Sequence, residues 1–314
     1  MKSNSIGRKF NILAAAALVL FFVMTGSDRV SAMETVETFL ARSAFIGNSV
    51  GEGLTMYNNA KGKVPLGEAV MLTRVSYSFY SDKNAVSKFL PRFNGVPMRA
   101  KDAVKASNAE YVFICMGTND LVGSSTAEGA YESYQQYVVD ILTENPLVTI
   151  FIESCTPTRP GSNVDNNKVA MLNAYMKTLC DGLPNMYYVD IATPLSDETG
   201  YLSADLSSDG SVHLTNRAYE IWAETVRTYI AGYIAARAEE IRLQQEEERE
   251  IARANYEANM KEMEEKKQES FLLAEQAKKE AEAAEEAQRL YDLLNVPDEV
   301  TVMRRLTAWN QTAR

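Results

Sequence analysis

An α/β sandwich, five parallel strands with helices on both faces, is the fold this sequence predicts, and three observations predict it. Runs such as Tyr111-Val112-Phe113-Ile114-Cys115-Met116 are apolar almost without interruption. A strand of that kind is covered on both faces and belongs to a parallel sheet. Amphipathic stretches of helical length alternate with these runs, which is the order of a βαβ chain. Finally, the run Phe45-Ile46-Gly47 stops at a glycine and passes at once to Asn48-Ser49-Val50-Gly51. A serine there stands at the C-terminal end of a strand, where open α/β sheets place their chemistry.

Taken in order, the first strand ends at Gly47, where the missing side chain permits a sharp turn and brings the Ser49 hydroxyl beside the first amides of a helix. That helix is expected over residues 53–57, with a break at Asn58-Asn59-Ala60-Lys61-Gly62. Residues 69–75 form the second strand. A short helix over 99–106 leads to the third strand, 111–116. A long amphipathic helix over 126–142, a strand over 147–152, a helix over 164–179 and a strand over 187–191 complete the alternation. Thr215 caps a last helix that begins at Asn216. Five strands wound in this way make a flavodoxin-like three-layer α/β/α sandwich.

The segments outside that domain differ in composition. Lys2, Arg8 and Lys9 precede an apolar run over 10–24, and Val30-Ser31-Ala32 offers small residues for cleavage. This is the pattern of a signal peptide over 1–32, with Met33 as the first mature residue, and an uncleaved membrane anchor as the other reading. The domain then covers 33–234. From 235 to 296 the chain is dominated by Ala, Glu, Lys, Gln and Arg, with no Gly or Pro before Pro297, so it predicts one long charged helix. Ala274, Ala277, Ala281 and Ala284 keep 3-4 spacing, but Glu248 and Lys267 interrupt the seam. A weak coiled coil with weak self-association, a single charged helix and a solvated spacer all fit. Residues 297–314 carry Leu306 and Trp309 and have no assigned contact.

The net charge of −10 lies mostly in that helix, which holds ten Lys/Arg against seventeen Asp/Glu between Tyr233 and Val296. The remaining domain has no basic stripe, which excludes nucleic acid as a main partner. Cys115, Cys155 and Cys180 lack metal-ligand spacing and read as buried thiols, with a Cys115–Cys155 bridge as the alternative.

Two later stretches give Gly47-Asn48-Ser49-Val50-Gly51 its weight, because such a run alone is common in turns. Met116-Gly117-Thr118-Asn119-Asp120 closes the third strand, and Asp209-Gly210-Ser211-Val212-His213 precedes the last helix of the domain. With Ser, Asn and Asp/His in this order the sequence resembles the SGNH (GDSL) hydrolase superfamily over roughly residues 44–230. That family's blocks read Gly-Asp-Ser, Gly-x-Asn-Asp and Asp-x-x-His. Two departures stand out: Asn48 replaces the Asp of the first block, and Asp209 lies four residues before His213 instead of three. An α/β-hydrolase elbow is excluded because several strands precede the serine in that fold.

A serine hydroxyl needs a base to become a nucleophile, and His213 is the only histidine in the chain. Asp209 is the nearest acid to orient its imidazole, with Asp205 a poorer substitute and a Ser-His dyad the other possibility. The resemblance implies that the Asn119 side-chain amide and the Ser49 backbone amide receive the oxyanion. It also implies a third donor after the second strand, where the family has glycine; Ser76 is the nearest counterpart and Gly95 the alternative. Gly117 lets that loop approach closely, and Asp120 ties it down. Asn48 keeps the shape of an Asp without its charge. The expected function is an exported serine esterase acting on acyl or O-acetyl esters of carbohydrate or cell-envelope polymer, with no metal or organic cofactor. The alternative is an impaired hydrolase-like domain that binds a partner from a helical stalk.

Overall fold

The computed structural model describes residues 34–183, 185–295 and 299–312. The signal segment, its cleavage after Ala32 and the stop at Pro297 lie outside these residues. By its contacts the chain divides into one unit that ends at Glu240 and a second that begins at Ile241.

The first unit is built on five parallel strands: β1 (Ser43–Gly47), β2 (Val70–Thr73), β5 (Tyr111–Cys115), β6 (Thr149–Glu153) and β7 (Met186–Val189). Their order is β2-β1-β5-β6-β7. The predicted five-stranded parallel sandwich is therefore the fold observed. A small hairpin, β3 (Arg92–Phe93) with β4 (Val96–Pro97), stands outside the sheet. Helices α1 (Val36–Leu40), α2 (Ser49–Ala60) and the start of α7 (Asn216–Leu294) cover one face. The other face carries α3 (Phe79–Asp82), α4 (Ala100–Ser107), α5 (Ala127–Glu144) and α6 (Asn166–Asp181).

Register explains how the two cores form. Phe45 pairs with Phe113, Phe113 with Phe151 and Phe151 with Tyr187. Their rings stack in a ladder across four strands, with centroids 4.5, 4.6 and 5.4 Å apart. Each such contact adds about 0.5–1.5 kcal/mol beyond burial. Successive side chains alternate faces, so Ile46, Val112, Ile114, Ile150 and Ile152 fill the opposite core. That is why the strands read as unbroken apolar runs.

The strands fall close to their predicted places, but α2 does not. It begins at Ser49, four residues earlier than expected, and continues through the expected break as far as Ala60. Gly51 and Gly53 weaken helix propensity, yet packing requires Gly53 and leaves little room beside Gly51. A Cβ on Gly53 would sit 1.8 Å from the Tyr219 hydroxyl, and one on Gly51 would lie 3.3 Å from Thr73 Cγ2. The short elements α1, α3, β3 and β4 carried no readable period and were not predicted.

Glu153, at the end of β6, is fully buried and accepts a hydrogen bond from Trp222 Nε1 at 2.8 Å. Burial pushes its carboxyl up to about 8, against the opposing effect of the Trp222 bond. The folded pKa is thus above the unfolded one, so the native state keeps a proton that the unfolded chain releases. This stabilisation is complete below about pH 4.5 and is lost as the pH rises towards about 8. Glu153→Gln retains an acceptor for Trp222 and removes the titration. The melting temperature of the wild type is expected to fall more steeply than that of the variant between about pH 5 and about pH 8, by the equivalent of a few kcal/mol. Parallel slopes would refute this assignment.

In the second unit α7 continues without interruption to Leu294, as the composition predicts. Ion pairs one turn apart recur along it, including Arg242–Glu246, Arg253–Glu257, Lys279–Glu275 and Arg289–Glu285. Each contributes only about 0.3–0.5 kcal/mol, but together they support a helix with little apolar surface to bury. The last helix is α8 (Glu299–Thr312). Its Trp309 and Thr312 share a recess with Glu282, Glu285, Glu286 and Arg289. No helix among the described residues is long and apolar enough to cross a membrane.

Candidate active site

The strand order reverses between β1 and β5, so the loops that leave their C-terminal ends diverge and open a crevice there. Ser49 and Asn119 follow these two strands. At the end of β1, a Cβ on Gly47 would come within 3.0 Å of Gly51 Cα, so glycine lets the helix start directly against the strand. Asn48 is the N-cap of α2: its Oδ1 accepts the Val50 amide at 3.0 Å, and the residue is buried. This contact needs an acceptor and no charge, and Asn caps a helix as well as Asp does. The departure at Asn48 therefore keeps the geometry of the block. Ser49 is the first helical residue, at the positive end of the α2 dipole.

His213 reaches Ser49 from the loop before α7. Its Nε2 lies 3.2 Å from Ser49 Oγ, and its Nδ1 lies 2.6 Å from Asp209 Oδ2. The extra residue between Asp209 and His213 is absorbed by Gly210, which takes a positive φ of 71°. Asp209 Oδ1 also accepts the amides of Ser211 and His213, so the carboxylate closes its own loop while holding the ring. Burial works against the Asp209 charge, but the His213 ring and these two amides outweigh it and hold the carboxyl below its usual range. Asp205 is exposed in a separate 3-10 turn, Ala204–Leu206, so Asp209 is the acid on the imidazole. The loop after β6 braces this segment, with the Arg159 amide donating to Ser211 O and Ser211 Oγ to Ser162 Oγ.

Asn119 lies in a 3-10 turn, Thr118–Leu121, directly after β5. Its Nδ2 donates one hydrogen to Tyr77 O at 2.8 Å, which orients the amide and leaves its second hydrogen for another acceptor. Gly117 has a φ of 126°, and a Cβ there would approach Leu172 Cδ2 at 2.6 Å and Cys155 Sγ at 3.1 Å. Cys155 in turn donates to Met116 O at 3.0 Å, and Asn173 grips both the amide and the carbonyl of Cys155. All three cysteines are buried and free, as read from the sequence, and Cys155 also serves to hold the Asn119 loop. Asp120 accepts the Phe79 amide with both oxygens. Burial raises its carboxyl to about 6 despite the amides of Phe79 and Tyr80. It ties the Asn119 turn to the start of α3.

The loop after β2 lies beside the nucleophile turn, because Thr73 pairs with Gly47 and the Arg74 amide donates to Gly47 O at 3.0 Å. Ser76 occupies this loop with a φ of 61°, a conformation that favours the glycine the family has here. Gly95 is instead the turn of the β3–β4 hairpin, where Arg92 binds its carbonyl, so the alternative donor belongs to a different loop. Sequence reasoning missed Tyr77, whose contribution is a main-chain carbonyl and leaves no trace in residue type. Among the described residues, no group of three or more His, Cys, Asp or Glu side chains could hold a metal ion.

A serine, a histidine and an aspartate in one hydrogen-bonded row at the switch point of a parallel sheet is the arrangement used by serine hydrolases. The chain belongs to the GDSL-like lipase/acylhydrolase family, whose model matches residues 45–221. This bears out the resemblance to SGNH (GDSL) hydrolases and brings ester cleavage as the general activity. A candidate acylhydrolase from Bacteroides fragilis has a similar structure, with a TM-score of 0.50 and 18% identity over 68% of this chain and 95% of its own. A GDSL-like lipase from Bacteroides thetaiotaomicron aligns at a TM-score of 0.48 with 16% identity, over 67% of this chain and 98% of its own. A carbohydrate esterase family 3 protein from Talaromyces cellulolyticus aligns at 0.44 with 13% identity, over 62% and 98%. No curated protein matches the chain in sequence.

Proposed function

We propose that the chain is a serine esterase in which Ser49 carries the acyl group, His213 transfers the proton and Asp209 orients His213. The observation that carries this reading is the continuous row from Ser49 Oγ through both imidazole nitrogens to Asp209, at 3.2 and 2.6 Å. His213 Nε2 removes the hydroxyl proton as Oγ attacks the ester carbonyl, and returns it to the departing alkoxide. The carbonyl oxygen becomes an oxyanion. The Ser49 amide, the second hydrogen of Asn119 and the Ser76 amide are the donors assigned to it. Water then enters the leaving group's place, and His213 repeats the cycle to release the acid.

The His213 side chain is 46% exposed, so the reacting groups are open to solvent and to a bulky substrate. Together with the signal pattern over residues 1–32, this favours an extracytoplasmic role on acyl or O-acetyl esters of a carbohydrate or cell-envelope polymer. A fluorophosphonate probe tests the mechanism without the natural substrate, since it reacts with a serine whose proton can be removed and whose oxyanion is stabilised. Labelling is expected at Ser49, together with hydrolysis of 4-nitrophenyl acetate. A folded protein that does neither would leave the binding module in its place.

Asn119→Ala is expected to slow turnover of that ester by about a hundred- to a thousandfold, as for loss of one oxyanion donor. The effect should fall on kcat, because the hydrogen bond strengthens only as charge develops. An unchanged kcat would remove Asn119 from the oxyanion hole.

A further inference from the structure

The buried polar cluster beneath the Asn119 loop has no part in the chemistry described above, yet it ends on that side chain. Tyr77 is wholly buried, and its hydroxyl donates to Asp82 Oδ1 at 2.6 Å. The same hydroxyl lies 3.1 Å from that of Tyr137, which is left to act as its donor. Asp82 is 2% exposed and also accepts the Ala100 amide at 2.8 Å, at the start of α4. Arg99 approaches its second oxygen at 3.4 Å and binds Asp140 at 2.6 Å. Tyr77 is thereby fixed at its phenol end, and its main-chain carbonyl holds Asn119 Nδ2. Ser76, the residue just before it, is the remaining donor candidate. From the other side, Asp120 binds the first amide of α3, the helix that carries Asp82.

We propose that Asp82 and Tyr77 are positioning residues for the oxyanion hole: the Asp82 carboxylate anchors the Tyr77 phenol, and the anchored Tyr77 carbonyl aims the Asn119 amide. A fully buried, hydrogen-bonded group is a stiffer reference than a loop of surface residues. The arrangement accounts for a buried carboxylate placed on a helix of four residues, a costly feature for so small an element. The inference rests on Asn119 serving the oxyanion, as proposed above.

The test is the hydrolysis of 4-nitrophenyl acetate by the full chain as wild type, Tyr77→Phe, Asn119→Ala and the double variant. Tyr77→Phe keeps the ring and the carbonyl and removes only the anchor. It is expected to lower kcat by about tenfold or more with KM little changed, since small displacements of catalytic groups carry large kinetic penalties. In the Asn119→Ala background the same substitution should cost at most about twofold, because groups acting through one another are not additive. Asp82→Ala, which removes the acceptor for the Tyr77 hydroxyl, carries the same test should Tyr77→Phe not fold, and Asp82→Asn, which keeps one, should be the milder of the Asp82 pair. Equal fold-losses in both backgrounds, or a lower melting temperature with an unchanged kcat, would make the cluster merely structural and overturn the inference. A wild type without esterase activity would instead overturn the reading of the site.

Discussion

Replacing His213 with alanine is expected to lower ester turnover by on the order of ten-thousandfold or more while leaving the fold intact. His213 is the only histidine in the chain, so no neighbour can assume the task. Its side chain is nearly half exposed and supports no core packing, which is why the penalty should be confined to activity. Without it the hydroxyl of Ser49 keeps its proton near neutral pH, and attack on an ester is slow. Ser49→Ala should abolish fluorophosphonate labelling altogether and cost turnover about as much, because nucleophile and base act as one unit. Asp209→Ala should cost less than His213→Ala, since an acid that orients the imidazole is less essential than the imidazole itself. The decisive measurements are kcat/KM with 4-nitrophenyl acetate and the labelled site by mass spectrometry. A His213→Ala enzyme within tenfold of wild type would refute the assignment of the base.

The largest structural effect is expected at Trp222. This side chain is wholly buried on α7 beneath the sheet, in the core that includes the aromatic ladder. Truncation to alanine opens a cavity and also leaves Glu153 buried without its indole partner. The first effect costs about 3–5 kcal/mol and the second about 1–3 kcal/mol. For a domain of this size their sum corresponds to a fall in melting temperature of roughly 10–30 °C. Trp222→Phe separates the two contributions, because it retains most of the volume and loses only the Nε1 hydrogen bond. It should fall between wild type and Trp222→Ala in chemical denaturation. A Trp222→Ala protein that melts within a few degrees of wild type would show that α7 is not integral to this core.

Much of this was written in the sequence. The parallel sheet was legible because strands buried on both faces must be apolar throughout, Ser49 and His213 because a nucleophile and its base need those residue types, and Asn119 only through the resemblance to the SGNH family's Gly-x-Asn-Asp block. Asp209 was legible only as the nearest acid. That Gly210 bends the chain back far enough to bring its carboxylate to Nδ1 depends on a positive φ, which four-residue spacing alone does not reveal. Asn48 shows the reverse case: it departs from the family's residue type, and only the capping bond to Val50 shows that the position needs an acceptor and no charge.

By itself the sequence determined the layers, the order of the strands along the chain, the long charged helix and the candidate reacting groups, since these follow from local periodicity, from side-chain chemistry and from the resemblance to the SGNH family. The tertiary structure alone decided where α2 begins, which acid meets His213, and how the buried phenol of Tyr77 is linked through its own carbonyl to Asn119. Those choices rest on contacts that residue type alone does not show: Gly47 against Gly51 at the start of α2, Asp209 against His213, and Asn119 against Tyr77. Packing at such contacts overrides local preference, because the 1.8 Å clash that a Cβ on Gly53 would make with Tyr219, or an unpaired buried carboxyl, costs more than the fraction of a kcal/mol by which one residue favours a helix over a turn.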